Sequence, residues 1–300
     1  MPLLTDALPQ PSAASAATAD LAALTTLLAQ HRPWTVLTGA GVSTGSGIPD
    51  YRDAQGAWKR PAPVRFQDFM ADDPATRQRY WARSLVGWPV FSQAQPNAAH
   101  QALAQLEQAG FIQALITQNV DGLHQRAGSR RVVDLHGRLD QVVCMACKHR
   151  LARADFQHKL LAANPDWQHL SAQAAPDGDA DLAGVDFSLF QVPACPLCGG
   201  ILKPDVVFYG ENVPPARRQE ALDGLAASGA LLVVGSSLMV YSGLRFVHAA
   251  KQAGLPVAAI NLGQMRDGAL LDLQLAQACA PALASLADRL LPASAGRHLQ

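Results

Sequence analysis

The sequence lacks an excess of charge of either sign. Its 24 Lys and Arg balance 24 Asp and Glu, and only 16% of residues are charged, against roughly 25% in an average soluble domain. A surface built to bind a polyanion needs a surplus of basic residues, so nucleic-acid binding is excluded as the main task. Long apolar runs are also missing. No stretch reaches the ~18 consecutive apolar residues of a membrane span, so no membrane partner is expected. Residues 1–30 hold Asp6 and Asp20 but no Lys or Arg. They offer neither the positive start of a secretory signal nor the arginines of a mitochondrial presequence, and a cytoplasmic location is expected. Cysteines are few: five, placed as two tight pairs and one single residue. That count does not suit a disulfide scaffold, and in a reducing compartment paired cysteines more often bind metal. Glycine (23) and proline (20) are too sparse for a disordered chain.

What is present is ample apolar material, 49% of 300 residues, enough for about two units. Residues 1–19 (with PQPSAASAATA at 9–19) are expected to form a flexible tail. A helix is predicted over 20–31, with Asp20 as its N-cap. A strand follows at 34–38 and ends in Gly39-Ala40-Gly41. Further strands are predicted at 112–117, 131–135, 230–235 and 256–261, and helices at 97–109, 242–253 and about 279–291. Residues 53–92 are richer in arginine and aromatics and read as a helical insertion, and 138–204 hold both cysteine pairs as a separate module. Buried strands alternating with helices imply an α/β fold: a parallel sheet covered on both faces. Ligands bind such sheets at the carboxyl ends of the strands. There lie Gly39-Ala40-Gly41, Thr117-Gln118-Asn119, Gly235-Ser236-Ser237 and Asn261-Leu262-Gly263, each directly after a predicted strand.

The strongest single pattern is Cys144-x-x-Cys147 with Cys195-x-x-Cys198. Two such knuckles suit a tetrahedral, closed and therefore structural zinc site, although the interval between them is longer than usual. A redox role for the pairs is the alternative. The segment Gly39–Arg52 (GAGVSTGSGIPDYR) is a glycine turn able to admit a phosphate close to backbone N–H groups. It departs from G-x-G-x-x-G because Thr44 stands where the third glycine would be. TQNVDGLH (117–124) reads equally as a turn and helix cap, or as a set of amide-binding groups in Asn119 and Asp121. His136, at a strand's carboxyl end beside Gly137, is placed to reach the crevice and suits general-base work. KPDVVFYGE (203–211) reads as an extended segment, either a core strand or an edge that accepts a peptide by strand addition.

Taken together and in this order, these segments resemble the sirtuins, the NAD-dependent protein deacylases. The resemblance runs from about residue 33 to 263, and Arg77–Pro89, Pro176–Leu182 and FQVPACPLCGG look like class II, the branch that includes mitochondrial sirtuin-4. It implies a Rossmann-like NAD-binding domain from 20–52, 93–137 and 205–300, with a small domain made of the insertion 53–92 and a zinc module at 138–204. Gly39, Ala40, Gly41 and Ser43 would cradle the pyrophosphate, with Arg52 in a mobile loop. Ile48, Asp50, Gln118, Asn119 and Asp121, with the adjoining Thr117 and Val120, would surround the nicotinamide and its ribose. Gly235, Ser236 and Ser237 would meet ribose or phosphate, Asn261, Leu262 and Gly263 the adenosine end, and Cys279 the adenine. His136 would be the general base, with Asn119 and Asp121 as further catalytic groups. Cys144, Cys147, Cys195 and Cys198 would bind zinc. Val207, Phe208, Tyr209, Gly210, Met239, Val240 and Tyr241 would sandwich an acyl-lysine peptide as an added strand. Products would be free lysine, nicotinamide and O-acyl-ADP-ribose. Tyr80 and Arg83 share a helix face, and the resemblance to class III sirtuins makes them a candidate pair for an acidic acyl group, a surface or interface arginine being the alternative. Protein mono-ADP-ribosylation, a lipoamidase-type reaction and NAD binding without turnover are the other activities considered for the same pocket.

Overall fold

The computed structural model describes residues 20–51, 59, 63–167, 169, 170, 178, 180, 182 and 184–292. The tail at 1–19, Arg52 and most of 171–183 lie outside the described residues.

The large unit is a six-stranded parallel sheet, β1 (Trp34–Thr38), β2 (Ile112–Thr117), β3 (Val132–Asp134), β7 (Ala230–Val234), β8 (Val257–Ile260) and β9 (Leu273–Leu275), in the order β3-β2-β1-β7-β8-β9. Its strands are short and apolar on both sides because both faces are covered. In β7, Leu232 and Val234 face one core and Leu231 and Val233 the other. The first core meets α1 (Leu21–Gln30), α4 (Ala98–Gln108) and α9 (Cys279–Leu290) through Leu24, Leu28, Leu103, Leu106, Leu283 and Leu286. The second meets α7 (Pro215–Ala226) and α8 (Tyr241–Gln252) through Leu225, Leu244 and Val247. Burying one such leucine contributes about 1.5–3 kcal/mol. The predicted helices and strands of this unit fall within one or two residues of the observed ones. Helix α7 and strand β9 were not anticipated: α7 buries only Ala221 and Leu225, too thin a stripe to stand out, and β9 has three residues.

The small unit joins α2 (Phe66–Met70) and α3 (Ala75–Gln93) to a three-stranded antiparallel sheet in the order β5-β4-β6. Its strands are β4 (Gly137–Cys144), β5 (Arg150–Ala152) and β6 (Leu202–Val206), with α6 (Arg153–Ala163) packed alongside. A four-residue helix, α5 (Leu123–Arg126), follows β2 in the large unit. The small unit's core is aromatic: Phe69, Tyr80, Trp81, Phe156, Phe190 and Phe208 are all buried. Ile48, Phe91, Leu123 and Leu139 form a cluster between the two units. Strand β6 crosses the boundary expected at 204/205, because Leu202–Val206 pairs as one strand with β4. Among the described residues, no helix is long and apolar enough to cross a membrane.

Candidate active site

Strand β1 lies between β2 and β7, so successive connections leave it in opposite directions along the sheet. A doubly wound sheet opens a crevice at that point. Gly39, Ala40 and Gly41 after β1, Gln118 and Asn119 after β2, Gly235, Ser236 and Ser237 after β7, and Asn261, Leu262 and Gly263 after β8 all line one cleft of about 680 Å³, within the range of ligand pockets. The loops after β1 and β7 touch: Gly41 N donates to the Gly235 carbonyl at 2.8 Å. A Cβ on Gly41 would stand 2.9 Å from that oxygen, and one on Gly235 would stand 2.5 Å from Val42 N. Side chains are excluded there, leaving backbone amides at the cleft wall, a surface that suits a pyrophosphate. Asp50, Tyr51, Val120 and Cys279 line the same cleft, and burial pushes the Cys279 thiol up to about 11.

Other expected residues stand behind the wall. Ser43 is buried; its hydroxyl donates to Asp121 Oδ2 at 2.7 Å and accepts from Asn119 Nδ2 at 3.0 Å. Thr117 is buried and accepts from Asn119 N at 3.1 Å. Ile48 belongs to the cluster between the units. A pair of buried histidines that the sequence did not single out lies deeper. His100 Nε2 is 3.4 Å from Ser43 Oγ, and His124 Nε2 is 3.0 Å from Thr38 Oγ1, with the two rings 4.8 Å apart. Burial lowers His100 to about 4, against a smaller opposing pull from Asp121, and lowers His124 well below its ordinary value, with His100 adding to the shift. Both rings are neutral and serve as hydrogen-bonding struts.

His136 follows β3 and lines the cleft. Its Nδ1 is 2.9 Å from the Gln118 carbonyl oxygen. That oxygen only accepts, so Nδ1 carries the proton. Burial pushes the imidazole below its ordinary range, the Gln118 bond opposes this, and the Arg217 guanidinium lowers it further. The neutral ring therefore has its lone pair on Nε2, where it accepts from Ser242 Oγ at 2.7 Å. Ser242, in the first turn of α8, was missed; its position after the Gly235-Ser236-Ser237 turn was the available signal.

Val207, Phe208, Tyr209, Gly210, Met239, Val240 and Tyr241 all line the cleft. Strand β6 stops at Val206, so 207–210 form a loop rather than the continuous extended segment expected. A buried lysine holds that loop: Lys203 Nζ is 3.1 Å from Glu211 Oε2, which also accepts from Phe208 N at 3.0 Å. Tyr80 lines the cleft and packs its ring against Phe208 at 5.3 Å. Arg83, expected beside it in an acyl pocket, is not among the lining residues; its Nε donates to the Ala180 carbonyl at 2.7 Å. The i, i+3 spacing of Tyr80 and Arg83 is present on α3.

The sulfurs of Cys144, Cys147, Cys195 and Cys198 lie within 4.8 Å of one another. Cys144–Cys198 and Cys147–Cys195 separations are 3.5 and 3.7 Å. Four sulfurs at Zn–S of about 2.3 Å in a tetrahedron stand roughly 3.8 Å apart, so this set fits zinc, with all four positions filled by protein. None of the five cysteines is in a disulfide.

Fold and cleft thus define a Rossmann-like nucleotide-binding protein with a zinc-type knuckle module. The chain belongs to the Sir2 family, the sirtuins: the family model matches residues 39–242. An NAD-dependent protein deacetylase of Xanthomonas campestris pv. campestris is 61% identical over 264 residues, 88% of this chain and 90% of that protein. A solved Sir2 complex with a deacetylated p53 peptide and 3′-O-acetyl ADP ribose matches with a TM-score of 0.72 at 30% identity, covering 91% of this chain and 99% of that one. A Sir2 complex with a p53 peptide and NAD+ matches with a TM-score of 0.69 at 29% identity, covering 90% and 98%.

Proposed function

We propose that this chain is an NAD-dependent protein-lysine deacylase that removes acetyl and related neutral acyl groups, in the class II branch of the sirtuins. The observation that carries the proposal is His136. It is neutral, fixed in one tautomer by the Gln118 carbonyl, and lines the same cleft as the four strand-end turns. When bound, NAD supplies the ribose carbon to which the acyl oxygen is transferred as nicotinamide departs. The turns after β1 and β7 would take its pyrophosphate, Asn261–Gly263 and Cys279 its adenosine, and Gln118 and Asn119 its nicotinamide end. Asn119, tied to Ser43 and through it to Asp121, presents its amide from a fixed position. His136 Nε2 would accept the proton of a ribose hydroxyl. The loop 207–210 and residues 239–241 would hold the peptide between them, with Tyr80, Leu139, Val206 and Phe208 enclosing an apolar acyl chain. Water excluded by these walls leaves the weakly nucleophilic amide oxygen positioned for attack. The four cysteines would hold zinc and serve folding only.

The branch assignment is supported by Arg77–Pro89 and by FQVPACPLCGG, and the choice of neutral acyl groups by the placing of Arg83. The test is an acyl-lysine peptide panel with NAD, read by mass. O-acyl-ADP-ribose and free lysine peptide are expected, with acetyl well ahead of glutaryl and with His136→Tyr inactive. Unchanged turnover in His136→Tyr would falsify the mechanism. ADP-ribose attached to an acceptor protein, without deacylated peptide, would instead mark a mono-ADP-ribosyltransferase.

A further inference from the structure

We propose that Ser242 and His136 form a second reacting pair in this cleft, one that hydrolyses activated acyl esters and thioesters without NAD. The proposal rests on the same assignment of His136 as a proton acceptor. Three parts of a nucleophilic site are in place. Ser242 Oγ is 2.7 Å from His136 Nε2, and His136 Nδ1 is anchored 2.9 Å from the Gln118 carbonyl. Nucleophile, base and an orienting group on the base are the arrangement that activates a serine. Ser242 stands in the first turn of the 12-residue helix α8, whose N-terminus favours developing negative charge.

The fourth part is a donor for the acyl oxygen. Gln118 Oε1 accepts from Ser236 Oγ at 2.6 Å, which fixes the amide with its Nε2 toward α8. That nitrogen lies 2.5 Å from where a Cβ on Gly243 would stand, so only glycine beside Ser242 admits it. A preorganised side-chain amide next to the nucleophile is the kind of group that stabilises an oxyanion. The apolar lining at Tyr80, Leu139, Val206 and Phe208 offers room for the acyl chain. In the first step Ser242 Oγ bonds to the acyl carbon, its proton passes to His136 Nε2, and the alkoxide, phenolate or thiolate leaves with that proton. In the second, His136 takes a proton from water, whose oxygen bonds to the acyl carbon, and His136 returns that proton to Ser242 Oγ as it leaves, which yields the free acid and restores Ser242.

The test is 4-nitrophenyl acetate with the zinc-loaded enzyme and no NAD. Nitrophenolate release above buffer is expected, together with one acetyl group on Ser242 located by digestion and mass. Ser242→Ala should lower the rate by about 100-fold or more, with zinc content and melting temperature showing that it is folded; Ser242→Cys should restore a burst. Acetyl found on Cys279 or a lysine, or Ser242→Ala as fast as the wild type, overturns the proposal. Wild-type enzyme that deacetylates a peptide with NAD but releases no nitrophenolate overturns the pair and keeps the deacylase. Release through Ser242 with no deacetylation keeps the pair and overturns the deacylase.

Discussion

The hydroxyl of Ser43 donates to Oδ2 of Asp121 at 2.7 Å. This one bond ties the loop after β1 to the loop after β2, 78 residues further along the chain. Asn119 joins it from the side by donating to the same Ser43 oxygen and to the Gly39 carbonyl. Through Ser43, Asp121 is linked to Asn119, which also holds the glycine turn.

Asp121→Ala should leave Ser43 without its charged acceptor. A hydrogen bond to a charged group contributes about 1.5–3 kcal/mol, so the KM for NAD should rise by about tenfold or more. Steady-state kinetics checks this; a fall in kcat alone, with KM for NAD unmoved, would place Asp121 in chemistry instead of positioning.

His100, His124 and His136 are all lowered by burial. An unfolded chain takes up protons at these sites near pH 6.5 that the folded chain refuses. The unfolded state therefore binds more protons between the unfolded value and each folded one, and stability rises with pH across that interval. Stability contributed by neutral burial is complete above pH 6.5 and declines on acidification. For His100 the decline continues to about pH 4, a loss of roughly 3 kcal/mol. Melting temperatures measured from pH 7 to 5 should fall steadily, and His100→Gln should flatten part of the slope.

The deacetylase rate should show its own acid limb. As the proposed base His136 must be neutral to accept a proton, and burial holds it below its ordinary value. A plot of kcat/KM against pH should stay level to below pH 6.5 before dropping. An acid limb centred above 6.5 would contradict the buried geometry.

Zinc removal should act through stability. Cys195→Ser, or treatment with a strong chelator, is expected to release about one zinc per chain and lower the melting temperature, because metal binding is folding free energy in such modules. Activity should be lost in parallel with unfolding of the small unit. Metal analysis beside calorimetry separates this from a catalytic metal, whose removal would stop turnover without melting the module.

Arg83→Met should not change acyl preference. With Nε on the Ala180 carbonyl, the guanidinium supports the chain there, so acetyl and glutaryl peptides should lose activity in equal proportion. A selective loss on glutaryl-lysine would return Arg83 to the acyl pocket.

The large unit was legible because its signals are local. WTVLT, IQALIT and ALLVV are apolar runs of strand length, and each ends at a small or polar turn. Asn97 and Asp20 cap their helices as their residue types suggest, through Ala99 N and Ala23 N. The paired C-x-x-C knuckles carry their own chemistry wherever they sit. Less legible were α7 and the ion pair of buried Lys203 with half-buried Glu211, since neither has a distinctive local pattern. Helices α2 and α3 lie within the insertion expected at 53–92, and their packing on the β5-β4-β6 sheet depends on residues such as Phe156 and Phe190 that are distant in the chain.

By itself the sequence determined five of the sheet's six strands, the strand-end turns, the four sulfurs and the standing of His136 just after a strand, because periodicity, turn chemistry and ligand spacing act over a few residues. Only the tertiary structure decided which side chains face the cleft. Ser43 and Ile48 are buried, Ser43 bonds Asp121, Arg83 Nε donates to the Ala180 carbonyl, and Ser242 is brought to His136 across 106 residues. Those outcomes follow from how two units pack and which polar atoms must find partners once buried, and no local pattern encodes that.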